Sequence, residues 1–408
     1  MPSVGRIAPS TGSNQTWDPP YLQWVVKVSK QCNLRCKYCY EYPFLGDPAR
    51  MSYDQLAQMF VHIADQFGSS GRRMDFVWHG GEPLLQGKEF YRAVATLEDE
   101  ILGAKGVAFS NSVQTNLTIV NDDTLELFRD FFTNVGVSID LFGDQRVNIA
   151  GRPVQDRVLR NMQVLRDLDI RFGCITVLSQ MTAPHVDAIY RFFEDIDASF
   201  RLLPIYRTGF VGQQDTLALS AAEINTAFET VVDHWFASEA SISVQPIQTY
   251  IAQVVRFLDG GHGSRRYYSK RAAEVVYIID TDGGLYSNGD AYDPNLCHGN
   301  VFTQSFEEML ASAAYDRAVA AAEARVSATC LGCRYHGSCS GYIMAESTPE
   351  QRWFDDASRL LCGVAQPMQS YIVTALTAAG LVSDYGTELL ERRLRAHLAD
   401  DPTGVFAG

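Results

Sequence analysis

The stretch Cys32-Asn-Leu-Arg-Cys36-Lys-Tyr-Cys39-Tyr guides the interpretation of this chain, because it places three cysteines in a C-x3-C-x2-C spacing. A four-iron cluster is normally held by four thiolates. A compact loop that offers only three leaves one iron open to a small molecule. The alternative is a tetrahedral zinc site completed by a distant Cys or His, although zinc loops usually offer their ligands in pairs. The spacing therefore predicts a reactive iron–sulfur site.

A second motif, Gly80-Gly81-Glu82-Pro83, ends an apolar stretch that is typical of a strand. A glycine pair alone is most often a tight turn. Following the cysteine triplet, however, this motif resembles that of the radical S-adenosylmethionine (SAM) enzymes. The resemblance implies that the three cysteines hold a 4Fe–4S cluster and that the amino and carboxylate groups of SAM chelate its open iron. It also implies that the glycines let backbone carbonyls approach SAM and that Glu82 accepts a hydrogen bond from the methionine ammonium.

Further candidate SAM contacts lie at the ends of predicted strands. Any one polar residue at such a position is often only a helix cap. By the same resemblance, Asn116 belongs to the third strand, and Ser138 and Asp140 follow the fourth, near the methionine and ribose of SAM. Tyr38 resembles the aromatic residue that lies against adenine. Pro204 resembles the apolar end of the sixth strand beneath it.

The fourth strand departs from the family pattern in one respect. The family usually continues Ser-Ile-Asp with Gly, whereas Leu141 follows Asp140 here and Gly143 comes two residues later. The role of Asp140 is therefore left open. The arginine that would meet the SAM carboxylate is Arg146, Arg152 or neither.

Stretches of strand and helix periodicity alternate along the first half of the chain. They predict strands at 22–28, 74–78, 107–113, 135–139, 172–177 and 200–205. They predict helices around 52–67, 90–101, 125–132, 158–168, 185–193, 220–236 and 247–258. Ser52 and Gln55 form a candidate capping box for the first helix. Six alternating units predict an α/β fold with a parallel sheet and right-handed crossovers, a partial (β/α)6 TIM-like barrel. Its chemistry would gather at the C-terminal ends of the strands.

The character of the chain changes after residue 260. Residues 275–286 predict a hairpin about an Asp-Gly-Gly turn, and a second group of cysteines follows it. The predicted organisation is a flexible arm at 1–20, a barrel at 21–260, and a small cysteine-rich α+β iron–sulfur domain with C-terminal helices at 261–408.

In the second group, Cys330-x2-Cys333-x5-Cys339 is followed by Cys362. Taken alone, this set would equally satisfy structural zinc. After a radical SAM barrel it resembles the SPASM module, a C-terminal extension that binds auxiliary four-iron clusters. The resemblance implies that the four thiolates close at least one auxiliary 4Fe–4S cluster.

Two positions depart from the full SPASM pattern. Asn288 and Ile343 occupy places where the module carries further cysteines, and only Cys297 remains nearby. One thiolate cannot hold a cubane, so Cys297 is a remnant, a swapped metal ligand or a thiol of the substrate site. His298 and Asp290 are candidate ligands other than thiolate.

Composition narrows the class of protein. The chain has 34 basic and 48 acidic residues, a net charge of −14, and no basic block that would track phosphates, which argues against nucleic acid as a partner. No apolar stretch approaches the ~18 residues needed to span a membrane, and the N-terminus lacks a signal-peptide core. The nine cysteines are grouped at spacings typical of metal ligands, which predicts a reducing, cytoplasmic location. Cys174, inside an apolar strand, is predicted to be a small core residue.

The resemblance also implies a reaction. An electron from a donor such as flavodoxin or ferredoxin would reach the first cluster and cleave SAM, and the resulting 5′-deoxyadenosyl radical would remove a hydrogen atom from the substrate. The auxiliary cluster would accept an electron from the substrate radical. We therefore expect a net two-electron oxidation.

The family with this architecture mostly matures peptides and proteins, and the second cysteine group is most similar to that of the cyclophane-forming enzymes. The main expectation is an intramolecular carbon–carbon or thioether crosslink in a precursor peptide or protein. A formylglycine-generating sulfatase maturase is less consistent with the missing cluster ligands. A radical SAM dehydrogenase of a small molecule and a non-catalytic iron–sulfur or zinc adaptor are two further hypotheses. Because the first strand begins near residue 22, no N-terminal module for leader-peptide binding is expected.

Overall fold

A computed structural model of the chain describes residues 15–16, 20–205, 216–240, 242–258, 265–287 and 293–380. Its strands are β1 (Gln15–Thr16), β2 (Tyr21–Ser29), β3 (Arg73–Gly80), β4 (Phe109–Thr115), β5 (Asn134–Ser138), β6 (Gly173–Leu178), β7 (Phe200–Pro204), β8 (Val244–Gln245), β9 (Arg266–Tyr267), β10 (Val276–Ile279), β11 (Gly284–Ser287), β12 (Gly299–Asn300), β13 (Trp353–Phe354) and β14 (Leu360–Leu361).

The helices are α1 (Tyr53–Phe67), α2 (Lys88–Ile101), α3 (Asp122–Asp130), α4 (Gln155–Asp167), α5 (Val186–Asp195), α6 (Ala221–Ala237), α7 (Ile247–Leu258), α8 (Lys270–Ala273), α9 (Phe306–Leu310), α10 (Ala313–Thr329), α11 (Tyr342–Ala345) and α12 (Ala365–Ala378). Within the described ranges, no helix combines the length and apolar character needed to cross a membrane.

One large sheet organises the molecule. Ten of the strands in the described ranges join it, in the order β12-β11-β10-β2-β3-β4-β5-β6-β7-β8. From β2 to β8, each strand pairs in parallel with its neighbour, and a helix follows each strand from β2 to β7. The prediction of an α/β fold built on a partial (β/α)6 barrel is confirmed. All these strands end at one edge of the sheet, which therefore gathers the loops that follow them.

The predicted hairpin is present as β10 and β11, and it extends the barrel sheet. The parallel partner of β10 is β2, with Val276 opposite Gln23 and Ile279 opposite Val26. β11 and β12 then add antiparallel strands. Residues beyond the predicted boundary at 260 thus complete the sheet of the barrel. The division of the chain at that residue stays a prediction.

Helix α1 follows its sequence pattern closely. The hydroxyl of Ser52 accepts a hydrogen bond from the Gln55 N–H at 3.2 Å, and the Gln55 side chain accepts one from the Ser52 N–H at 2.8 Å. The predicted capping box is therefore confirmed. Leu56 and Phe60 of this helix are fully buried against the sheet, which stabilises the helix through its apolar face.

Helix α2 buries part of its apolar side together with a carboxyl group. Phe90 and Val94 are buried, whereas Leu97 and Ile101 are only partly buried. Glu98 is 1% exposed and accepts a hydrogen bond from the Asn111 side-chain amide at 2.9 Å. A carboxyl group therefore lies within the core between α2 and β4.

The part of the chain after the barrel holds a buried group of charges. The Lys270 ammonium lies 3.1 Å from the Glu274 carboxylate and 2.8 Å from that of Glu346. Glu346 also accepts a hydrogen bond from the Tyr268 hydroxyl at 2.8 Å. These contacts connect α8 to the segment after α11. Each charge is buried beside a partner of opposite charge.

Candidate active site

The first three cysteines lie on the loop that follows β2, at the edge where the parallel strands end. Cys36 is buried, and Cys32 and Cys39 are half-buried. The pKa of Cys32 is raised to about 11 and the pKa of Cys39 to about 12, mainly by burial and in part by the nearby Cys36. Buried thiols of this kind become thiolates when metal ions supply positive charge. The loop therefore presents three thiols suited to metal ligation.

Residues 145–148 form one wall of the cysteine loop. The N–H of Arg35 donates to the carbonyl of Val147 at 2.7 Å, and the N–H of Lys37 donates to the carbonyl of Gln145 at 2.9 Å. No sequence motif indicated this contact. The two backbone bonds hold the loop against residues 145–148.

The Gly-Gly-Glu turn packs directly on the start of the same loop. The N–H of Gly81 donates to the Ser29 carbonyl at 2.9 Å, and the N–H of Glu82 donates to the Gln31 carbonyl at 2.8 Å. A Cβ atom on Gly80 would lie 2.2 Å from the Ser29 oxygen, and one on Gly81 would lie 2.1 Å from the Gln31 oxygen. Glycine is thus required for the approach of one loop to the other. Its role in contacting SAM stays a prediction.

The carboxylate of Glu82 is buried at the centre of this edge. It accepts hydrogen bonds from the Leu84 N–H at 3.0 Å, the Thr115 hydroxyl at 2.8 Å and the Asn116 N–H at 2.8 Å. Burial nevertheless raises the pKa of Glu82 to about 7. A nearby ammonium group would favour the charged carboxylate, so this environment fits the predicted contact with an amino acid moiety.

Asn116 connects the end of β4 to the cysteine loop. Its side-chain amide nitrogen lies 3.8 Å from the Cys32 sulfur and 2.9 Å from the Asn33 side-chain oxygen. Its own side-chain oxygen accepts hydrogen bonds from the N–H and hydroxyl of Thr118. The residue is therefore oriented by its neighbours and directed at the thiol.

Tyr38, Asp140 and Arg146 form a second group beside the cysteines. The Asp140 carboxylate accepts hydrogen bonds from the Tyr38 hydroxyl at 2.5 Å, the Arg146 side chain at 3.1 Å and the Val177 N–H at 2.8 Å. The guanidinium lies 5.6 Å from the centre of the Tyr38 ring. Burial lowers the pKa of Arg146, but Tyr38, Asp140 and the thiols Cys36 and Cys39 raise it, and the net shift is upward. The structure thus brings Arg146 to the cysteine loop.

The remaining predicted SAM contacts have other partners. The Ser138 hydroxyl accepts a hydrogen bond from the Gln114 side chain at 2.8 Å. Arg152 interacts with Asn148 through its backbone, donating to the side-chain oxygen at 3.0 Å and accepting from the N–H at 2.9 Å. Pro204 ends β7 and lines a cavity. Their roles toward SAM stay predictions.

The second group of cysteines also comes together. Cys330 ends α10, the N–H of Cys333 donates to the Cys330 carbonyl at 2.9 Å, and Cys362 follows β14. The pKa of Cys362 is raised to about 12, mainly by burial and in part by the neighbouring thiols of Cys339, Cys330 and Cys333. Among the described residues, no three His, Cys, Asp or Glu side chains are arranged around a single metal ion. A four-iron cluster instead distributes its thiolates over separate irons.

Cys297 lies away from these four thiols, beside the hairpin. Its thiol lies 3.3 Å from a backbone carbonyl of β12. The His298 ring is buried and forms a hydrogen bond with the Ser287 hydroxyl at 2.8 Å. Asn288 and Asp290 lie outside the described residues. The assignment of Cys297 as a metal ligand therefore stays a prediction. Cys174 is 3% exposed within the core, as predicted.

A cavity of about 200 Å³ lies between the end of the barrel and the second group of cysteines. Pro204 contributes to the barrel wall, whereas Ile343, Trp353 and Cys362 contribute to the opposite wall. The cavity thus extends from the last long strand of the barrel to one of the four neighbouring thiols. Sequence reasoning named Pro204, Ile343 and Cys362 separately and did not connect them.

Comparisons with known proteins agree with this arrangement. The family model described as the radical SAM superfamily matches residues 26–193. A serine-type anaerobic sulfatase-maturating enzyme from Klebsiella pneumoniae is 30% identical over 282 residues, which cover 66% of this chain and 68% of the relative. One from Bacteroides thetaiotaomicron is 24% identical over 349 residues, which cover 79% and 82%.

Solved structures share the fold. The chain is similar to anSMEcpe with bound AdoMet and Kp18Cys peptide, with a TM-score of 0.68, 19% identity, and coverage of 89% of this chain and 99% of that one. It is also similar to Streptococcus suis SuiB bound to the precursor peptide SuiA, with a TM-score of 0.57, 14% identity, and coverage of 83% and 76%. The chain therefore belongs to the radical SAM superfamily and is a radical SAM enzyme, with SAM and a 4Fe–4S cluster as its cofactors.

Proposed function

We propose that this radical SAM enzyme matures a peptide or protein by a net two-electron oxidation of one of its side chains. The observation that carries the proposal is the position of the cavity, which has the end of β7 on one side and Cys362 on the other. A substrate in this cavity would contact the end of β7 and lie beside one thiol of the second group of cysteines. The names of the sulfatase-maturating relatives support a protein substrate.

In this proposal Cys32, Cys36 and Cys39 hold the catalytic 4Fe–4S cluster. The buried thiols fit it, because their protons would be displaced by the charge of the irons. Together with SAM and an electron from a flavodoxin- or ferredoxin-type donor, the cluster held by these residues would supply the radical chemistry needed to abstract a hydrogen atom from the substrate.

The contribution of the chain is to hold SAM and to exclude competing reactions. Glu82 accepts from the SAM ammonium, and its hydrogen bonds from Thr115 and Asn116 fix the carboxylate in one orientation. Arg146 provides the positive charge at the cysteine loop that attracts the SAM carboxylate. Ser138 and Pro204 complete the site on the ribose and adenine sides, as the family resemblance implies.

We assign an auxiliary 4Fe–4S cluster to Cys330, Cys333, Cys339 and Cys362. Four thiolates close such a cluster, which suits it to electron transfer. The substrate radical left by hydrogen abstraction must lose one electron to become a closed-shell product. A cluster held by these four cysteines would supply a one-electron acceptor beside the cavity, because Cys362 lines it.

Two products are compatible with this oxidation, and different observations favour them. The relatives favour oxidation of a Ser or Cys side chain to formylglycine, since they are named serine-type and cysteine-type sulfatase-maturating enzymes. The crosslink that the sequence analysis ranked first is the second candidate. It is favoured by Ile343, because an aliphatic side chain occupies the place of a cluster ligand in the full SPASM pattern.

The test is an anaerobic reaction of the reconstituted enzyme with SAM, a reductant and two peptide substrates. One peptide derives from a sulfatase and carries Ser or Cys at the modification site, and the other is encoded beside this protein. We expect about eight irons per chain, release of 5′-deoxyadenosine and a mass change in one peptide. An aldehyde-reactive hydrazide labels formylglycine, whereas a crosslink removes two hydrogens and suppresses fragmentation between the joined residues. SAM cleavage with neither peptide changed would contradict both the formylglycine and the crosslink assignment. Stoichiometric zinc without SAM cleavage would contradict the assignment as a radical SAM enzyme.

A further inference from the structure

The cavity between β7 and the second group of cysteines has a predominantly apolar lining. Leu203 and Pro204 form its barrel side, together with Leu219 from the segment before α6. Ile343 and Val364 form the side that belongs to the later part of the chain. Two elements far apart in sequence therefore enclose one apolar volume.

Four aromatic rings also line the cavity, namely those of Phe228, Tyr250, Tyr342 and Trp353. Pairs of aromatic rings in edge-to-face or offset-stacked arrangements are stabilised by more than the burial of their apolar surface alone. The lining therefore favours an aromatic group over an aliphatic one of similar size.

Two polar side chains of the lining already have partners. The Glu346 carboxylate interacts with the Lys270 ammonium at 2.8 Å and the Tyr268 hydroxyl at 2.8 Å. The Thr249 hydroxyl donates to the Gln245 side chain at 2.8 Å. Both groups stabilise the walls of the cavity, and their internal bonds weaken their own attraction for a ligand. Arg201 and Gln351 also contribute polar side chains to the lining.

Trp353 is positioned in this lining by a glycine. A Cβ atom on Gly363 would lie 2.5 Å from the Trp353 ring, and the Gly363 carbonyl accepts a hydrogen bond from the Asn225 side chain at 2.9 Å. Gly363 follows Cys362 directly. The shape of the cavity is thus coupled to the segment that carries the cluster ligand.

The volume of the cavity fits one aromatic ring. An engineered apolar cavity of about 150 Å³ binds benzene, and the present one measures about 200 Å³. We propose that this cavity binds a single aromatic side chain of the substrate peptide and thereby places the neighbouring peptide residue at the ends of the barrel strands. This inference rests on the proposed function and adds the residue class that the enzyme selects.

The experiment measures binding without turnover. The probe is N-acetyl-phenylalaninamide, with N-acetyl-alaninamide as its comparison, observed by saturation-transfer NMR with the anaerobically reconstituted enzyme and SAM. We expect saturation of the phenylalanine probe alone. Ala218→Leu and Ile343→Trp fill the cavity from opposite walls, and each should weaken binding by about tenfold or more.

Val164→Trp, on the outer surface of α4, is the matched control, because it adds the same ring at an exposed position. Iron content and the unfolding temperature establish that each variant is folded, and either filling variant suffices for the test. Equal binding of both probes, or undiminished binding of the phenylalanine probe in a folded filling variant, would overturn the inference. Peptide modification in the absence of probe binding would overturn the proposal that the cavity binds an aromatic side chain, and it would leave the proposed function intact. Probe binding by an enzyme that modifies no peptide would overturn the assignment of the cavity to a peptide side chain.

Discussion

A Cβ atom on Gly81 would lie 2.1 Å from the carbonyl oxygen of Gln31, so the Gly-Gly-Glu turn and the cysteine loop are held at a separation that only glycine permits. Replacing Gly81 by Ala should force the two loops apart and destabilise the fold by about 2 kcal/mol or more. Iron bound per chain after reconstitution and the unfolding temperature measure the effect. Gly46→Ala is the control, because a Cβ atom there meets nothing within 4 Å. An unchanged iron content in Gly81→Ala would show that the contact does not hold the loop.

The two groups of cysteines should respond differently to substitution. Cys32→Ala removes a ligand of the proposed catalytic cluster and should abolish reductive cleavage of SAM, measured as 5′-deoxyadenosine. Cys333→Ala removes a ligand of the auxiliary cluster and should block peptide modification while some SAM cleavage persists. Cys174→Ala is the control, since this cysteine is buried in the core and belongs to neither group. Full SAM cleavage by Cys32→Ala would contradict the assignment.

Asp140 should be important for stability, because its carboxylate pairs with the Arg146 side chain at 3.1 Å and is fully buried. Asp140→Asn leaves the arginine without its charged partner and should lower the free energy of unfolding by about 3–5 kcal/mol. Arg146→Met in the same chain should recover most of this loss, because both charges are then absent. Urea unfolding of the single and double variants measures the coupling. Additive losses would mean that the two residues act independently.

Much of the barrel could be predicted from the sequence because its elements are defined locally. The strand predicted at 22–28 is observed at Tyr21–Ser29, since a largely apolar run, interrupted by Gln23 and Lys27, marks a strand buried on both faces. The parallel pairing of β2 with Val276–Ile279 could not be predicted. It joins segments about 250 residues apart, and nothing in either pattern specifies the other as its partner.

Part of the candidate site could also be predicted, because that part is defined by local sequence motifs. The motifs around Cys32 and Gly81 are short and continuous, so the residue types could be identified before the fold was known. The wall formed by residues 145–148 depends on backbone hydrogen bonds, which are largely independent of side-chain identity. For Arg146, the sequence could name a candidate but could not choose it over Arg152.

Glu98 makes the stability of the chain depend on pH in an unusual direction. Burial raises its pKa from 4.5 to about 8, so between these values the folded chain binds a proton that the unfolded chain has released. The contribution of this group to the free energy of unfolding therefore falls as the pH rises through that interval. Glu98→Gln mimics the neutral acid. The free energy of unfolding of this variant, relative to that of the native chain, should be roughly 3–5 kcal/mol higher at about pH 9 than at about pH 4. Urea unfolding at both pH values measures the difference. Glu100→Gln, at an exposed position of the same helix, should show no such gain, and a Glu98→Gln variant with the pH dependence of the native chain would mean that Glu98 stays charged in the core.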